Sequence, residues 1–242
     1  MKIKNLVVLG RTAPELVNGR LCNTIIGHAE GIGFIRLPVR IDSPGRLWDI
    51  LCVEARHAAH DTRKESLRIT SNWNNLNKKI KIEGILKKEN RLVLLRKLAS
   101  NSIERLKKQN LSIAVVRPRK IVHWIVTNRE RRVVQKSLGK DFDIISKKDY
   151  EARLEMEYSC SFKCRKRHRQ WVVDWGVYEA MRKNPKNPDA MLRDLHLKDP
   201  QYEKYFVIGK GRKNNRFVIV SVIRLRTKNS RMSIAEESYQ HP

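Results

Sequence analysis

Residues 31–40 read Gly31-Ile32-Gly33-Phe34-Ile35-Arg36-Leu37-Pro38-Val39-Arg40. Alternation along this stretch puts Phe34, Arg36, Pro38 and Arg40 on one face of a β-strand. Residues 4–10, 21–28 and 48–56 are further β-branched and apolar runs of strand length. Each is bounded by turn-forming punctuation: Asn18-Gly19, Glu30-Gly31 and Asp42-Ser43-Pro44-Gly45. Short strands at this spacing, with no helical stretch between them, predict a small antiparallel barrel or sandwich over residues 1–71. On such a barrel Phe34 could stack a base while Arg36 and Arg40 hold phosphates. The same pattern also fits a strand with one solvated basic face.

Beyond the barrel the period changes. Leu92, Leu95, Ala99, Ile103 and Leu106 recur at three- and four-residue steps, which predicts a helix over 92–109 within a basic connection spanning 72–110. Residues 111–118 and 120–127 read as buried strands, and a further strand over 151–159 leads into a cysteine-rich segment. Apolar spacing predicts helices over 171–182 and 188–195, the second opened by Pro188-Asp189. Residues 204–209 and 216–224 form a hairpin around the turn Lys210-Gly211-Arg212-Lys213-Asn214-Asn215, and 229–242 read as a flexible tail. The fold class expected is therefore α+β: a small N-terminal antiparallel β-barrel followed by a mixed α/β C-terminal part over 111–228.

The charge narrows the function classes. The chain has 52 Lys+Arg against 25 Asp+Glu in 242 residues, a formal net charge of +27. Such an excess repels itself in a compact state and is best relieved by a polyanion, so nucleic acid is the expected partner, with other protein subunits beside it. No apolar run approaches the ~20 residues of a membrane-spanning helix, so no membrane partner is expected and the expected location is cytoplasmic. The cysteines Cys22, Cys52, Cys160 and Cys164 are expected as free thiols. The cations expected to touch nucleic acid, besides Arg36 and Arg40, are Arg129, Arg131 and Arg132, the cluster Arg165, Lys166, Arg167 and Arg169, and the turn residues Lys210, Arg212 and Lys213.

The densest chemistry lies in Cys160-Ser-Phe-Lys-Cys164-Arg-Lys-Arg-His168-Arg-Gln-Trp171-Val-Val-Asp174-Trp175. Cys160, Cys164 and His168 are close to a zinc-ligand spacing, with Cys22, Cys52 or His196 needed as a fourth ligand. His168 and Asp174 could instead serve phosphodiester hydrolysis. Asp174, Glu179 and Asp194 would then hold magnesium, or His168 would act as a base beside Lys166 and Arg167. Zinc and magnesium are thus the cofactors these residues could hold, and a nuclease is the alternative to a binding protein. A third reading makes the segment a packed strand-to-helix corner, with Trp171 and Trp175 anchoring one helix face and the cysteines buried as small apolar groups.

Taken together, residues 31–38, the Cys-His-Asp-Trp segment and the strand Tyr205-Phe206-Val207-Ile208-Gly209 resemble a sparsely characterised group of small prokaryotic proteins. That resemblance implies an OB-like or SH3-like barrel at the N-terminus and an α/β part carrying Cys160, Cys164, His168, Asp174 and Trp175. It implies no settled activity. Arg165, Lys166, Arg167 and Arg169 depart from what a small-molecule pocket would need. The small size and high charge of the chain, with this resemblance, lead to the expectation of a subunit of a nucleoprotein assembly of the kind found in mobile-element or defence systems. RNA or single-stranded DNA is favoured over duplex, because a barrel strand with Phe34 beside arginines suits unstacked bases, and no helix-turn-helix or zinc-finger pattern is present to enter a major groove.

Overall fold

The computed structural model describes residues 1–17, 20–59, 61–100, 102–128, 156–183, 193, 195–211 and 216–227. Residues 129–150, the start of the predicted strand (151–155), most of 188–195, residues 212–215 of the basic turn and the predicted tail 229–242 lie outside the described residues.

The first seven strands are β1 (Lys2–Arg11), β2 (Glu15–Val17), β3 (Arg20–Ala29), β4 (Gly33–Arg40), β5 (Asp49–His57), β6 (Leu67–Ile69) and β7 (Ile80–Ile85). β1 pairs antiparallel with β3, and β3 with β4. A parallel bridge between Arg36 and Ser66 joins β4 to β6, while β6 pairs with β5 and β5 returns to β1. The result is a nearly closed, mainly antiparallel barrel, with β2 and β7 added at its margins. The β3–β4 turn holds Gly31 and Gly33 at φ of 79° and 96°, which a side chain would oppose. Ile35, Leu37 and Val39 of β4 point inward with Leu51, Val53 and Ala55 of β5 and Leu67 and Ile69 of β6. The sheet reaches Ile85, past the boundary at residue 71 expected from sequence.

The predicted helix over 92–109 is broken. It forms α1 (Lys88–Leu98) and α2 (Ile103–Lys108), separated by the two-residue strand β8 (Ala99–Ser100). Ala99 leaves the helix at φ −69° and ψ 129°, and β8 pairs in parallel with Val115 and Val116. Sheet pairing overrides the helical spacing there.

The second sheet contains β8, β9 (Ile113–Val116), β10 (Lys120–Asn128), β11 (Met156–Lys163), β12 (Arg167–Val172), β13 (Tyr202–Lys210) and β14 (Phe217–Arg226), in the order β10-β11-β12-β14-β13-β9-β8. The predicted C-terminal hairpin is present as β13 and β14. Trp171 belongs to β12, and the helix α3 (Trp175–Lys183) begins only after it, so the two tryptophans do not share a helix face. The C-terminal part is thus mostly sheet, and the protein as described is mainly β with a few helices. No helix among the described residues is long and apolar enough to cross a membrane.

α2, α3 and the segment holding Leu195 and Leu197 cover one face of this sheet over Phe162, Phe206, Ile208 and Ile219. The barrel and α1 cover part of the other face, where Leu9, Ile26, Trp48 and Leu95 meet Val115, Tyr205, Val207 and Val220. At that seam a Cβ placed on Gly10 would lie 2.3 Å from Cβ of Ser221, so glycine allows β1 to touch β14. Ala13 N–H donates to the Val173 carbonyl at 2.6 Å beside it.

Candidate nucleic-acid interface

The segment from Cys160 to Trp171 is a β-hairpin. Register pairs Ser159 with Trp171, Ser161 with Arg169 and Lys163 with Arg167, and these six occupy one face of the sheet. The alternate residues Cys160, Phe162 and Val172 point to the opposite face, into the core beneath the helices. Lys120 on β10 continues the first set, opposite Lys163. Lys120, Lys163, Arg165, Lys166, Arg167 and Arg169 are all exposed, and Trp171 is half-buried among them. Arg169 Nε donates to Ser159 Oγ at 3.1 Å, which lays the guanidinium over the small, buried serines. No aspartate or glutamate occurs between residues 159 and 171. On the neighbouring strand, Trp171 stands beside Val218 in parallel register. Two residues before Val218, the exposed Arg216 immediately precedes β14.

The sequence reading assigned to this face neither Lys120 on β10 nor the hairpin residues Lys163 and Trp171. The signal that could have found them was the period of two in Ser159-x-Ser161-x-Lys163 and Arg167-x-Arg169-x-Trp171, which is a strand pattern. Arg129, Arg131, Arg132, Arg212 and Lys213 fall outside the described residues. Lys210 is described, and its N–H and carbonyl are used internally: the N–H donates to the Ser112 carbonyl at 2.7 Å, and the carbonyl accepts from Arg63.

The expected zinc ligands do not assemble. Among the described residues no group of three His, Cys, Asp or Glu side chains could hold a metal ion. Cys160 and Cys164 are core residues at 0% and 1% exposure. Burial pushes the thiol of Cys160 up to about 12 and that of Cys164 to about 11. A zinc ligand must be a thiolate, which this surrounding disfavours. His168 sits opposite Phe162, ring centroids 5.5 Å apart, with Nε2 3.6 Å from Glu104 Oε1 of α2. It is turned toward the helix-covered side of the sheet, away from the basic face, which argues against its expected catalytic role there.

Asp174 is also a structural residue. Its Oδ1 accepts the Val177 N–H at 2.7 Å, capping α3, and its Oδ2 accepts the Val222 N–H of β14 at 2.9 Å. Both oxygens are committed and the residue is buried, so the expected catalytic and magnesium-binding roles of Asp174 are not met. Asp194, one of its expected partners, is outside the described residues. All four cysteines are buried and free. A thiol reagent at mildly alkaline pH is therefore expected to leave the native protein unlabelled and to modify all four on denaturation. Prompt labelling of Cys160 or Cys164 in the native protein would overturn this burial.

The barrel strand also departs from expectation. Phe34, Arg36, Pro38 and Arg40 do point outward, yet on this side the second sheet packs over Phe34 and Arg36, while Pro38 stays exposed. Arg36 is only 6% exposed. It donates to Ser66 Oγ at 3.4 Å and to the Ser112 carbonyl at 3.3 Å across the seam. Burial lowers its pKa to about 10, so it stays charged at neutral pH. Glu65 completes the tie by accepting the Ser112 N–H at 3.1 Å and its hydroxyl at 2.7 Å. Phe34 is half-buried and meets His28 edge-on at 5.4 Å. Arg40 is held by both oxygens of Asp42, at 2.8 and 2.9 Å. A face that reads as basic and aromatic is thus largely engaged inside the molecule.

The site is therefore an open, cationic, three-stranded sheet face beside a seam with a small barrel. In sequence, no known protein family and no curated protein matches this chain.

Proposed function

We propose that this protein binds nucleic acid on the sheet face carrying Lys120, Lys163, Arg167, Arg169 and Trp171. The observation that carries the reading is the alternation of the hairpin, which gives one side entirely to the core and gathers exposed cations, without an intervening acid, around a half-buried tryptophan on the other. Cations on a sheet hold phosphates, and an aromatic between them offers a stacking surface for an unpaired base. RNA or single-stranded DNA is therefore favoured over duplex.

The ring order β1-β3-β4-β6-β5, with β4 and β6 bridged in parallel, supports the finer reading of the barrel as OB-like. Barrels of that kind commonly take oligonucleotides on the face of their second and third strands. Here the second sheet occupies much of the corresponding face, β3 and β4, so the proposed ligand face belongs to the second sheet. The large net charge fits a subunit of a nucleoprotein assembly.

The test is a native gel of the purified protein with labelled single- and double-stranded RNA and DNA, with and without Mg²⁺, each sample also run denatured. Intact single strands should shift, with affinity that falls steeply with salt. No shift at low salt would overturn the reading, and shortened products would replace it with hydrolysis.

A further inference from the structure

A second group of cations lies on the barrel wall. Register sets Arg56 of β5 directly opposite Arg68 of β6. Both are exposed and point outward, since their neighbours Ala55, Leu67 and Ile69 fill the barrel core. Like charges placed directly opposite each other destabilise a sheet. Four other arginines do have an acidic partner: Arg40 faces Asp42, Arg63 faces Asp61, and Arg96 and Arg117 share Glu203. Arg56 and Arg68 have no such ion pair among the described residues. The nearest acid along β5, Glu54, stands opposite Lys2 instead.

This pair is close to the seam. Arg68 is two residues beyond Ser66, and Ser66 is bridged to Arg36. Arg36 Nη2 lies 3.5 Å from where a Cβ of Gly209 would stand. Gly209 pairs with Val218, and Val218 with Trp171. Two residues along a strand and three strand spacings amount to about 21 Å, plus the reach of one arginine. Such a span fits within the roughly 4–16 nucleotides that small stacking barrels engage.

We infer that a nucleic-acid strand bound on the β11–β12 face continues across the seam onto the barrel wall, where Arg56 and Arg68 hold its phosphates a second time. This rests on the reading of the β11–β12 face given above. The fold keeps two opposed cations on its surface because a bound phosphate backbone relieves their repulsion.

Short and long oligothymidylates titrated into the full chain test it, using wild type, Arg56→Gln/Arg68→Gln and Arg167→Gln/Arg169→Gln. The barrel variant should bind short oligomers like wild type and lose severalfold affinity for long ones. Its salt slope for long oligomers should fall by about 0.7 for each phosphate that the protein no longer neutralises. Its melting temperature should equal or exceed that of wild type, which separates lost binding from lost folding. Wild-type affinity and slope at every length would overturn the inference while leaving the β11–β12 reading intact. Unchanged binding by the hairpin variant would overturn that reading and the inference with it.

Discussion

Arg167→Glu combined with Arg169→Glu is expected to weaken nucleic-acid binding by about a hundredfold. A hydrogen bond to a charged group contributes roughly 1.5 kcal/mol or more, and losing two of them removes about 3 kcal/mol, close to two decades in Kd. Reversal adds repulsion to that loss, so the figure is a lower bound. Both side chains are exposed strand residues, and of the two only Arg169 makes a hydrogen bond among the described residues, to Ser159. The fold should tolerate the pair, with circular dichroism and melting temperature close to wild type. Trp171 fluorescence offers a second readout, since a stacked base should quench it in wild type and not in the variant. A variant that folds and binds with unchanged affinity would remove this face from consideration.

Asp174→Ala should destabilise the protein by about 3 kcal/mol. A lost N-cap costs about 1 kcal/mol and a buried N–H left without a partner costs about 1–3 kcal/mol, and here the Val177 and Val222 N–H groups are both affected. At 2–4 °C per kcal/mol for a protein of this size, the melting temperature should fall by roughly 10 °C. The effect should also depend on pH. Burial holds the Asp174 carboxyl above the usual range, against the opposing pull of the Val177 and Val222 N–H groups. A carboxyl whose folded pKa is raised stabilises the fold fully below its unfolded value of about 3.9, and that contribution is lost as pH rises through the folded value. Asp174→Asn cannot titrate. The stability advantage of wild type over Asp174→Asn should therefore shrink as pH rises from about 4 toward neutrality. A constant difference measured by calorimetry across that range would show that the carboxyl does not titrate in it.

The barrel was legible because its signals are local. Glycine, proline and asparagine mark the turns, and the alternation of residues 33–40 gives β4 its observed bounds. The helix over 92–109 failed because Ala99 fits the helical stripe and yet, with Ser100, makes a two-residue parallel pairing with β9, and spacing carries no information about which neighbour is present. Of the readings open for Cys160, Cys164 and His168, the described residues fit the one that buries the cysteines as small apolar groups, and spacing alone could not choose it. Steps of four suit both a metal loop and a strand-turn-strand in which the thiols face the core. The outward direction of Arg36 was read correctly, but nothing in an exposed-looking polar position reveals that a second sheet will cover it. The Arg56–Arg68 opposition is visible only once the register of β5 and β6 is known.

The position of β14 bears on how the chain is made. In the second sheet it lies between β12 and β13, although it is the last strand in sequence among those described. On the ribosome the barrel strands β1 to β7 emerge as one contiguous block, which can collapse before the rest is translated. The second sheet has no such freedom. Until residues 217–226 leave the exit tunnel, β12 and β13 each show an unpaired edge, and the face holding Phe162 and Phe206 lacks Ile219 and Val222. The nascent chain is therefore most vulnerable to aggregation between the synthesis of β12 and that of β14. Completing that central strand closes both edges in one late, cooperative step.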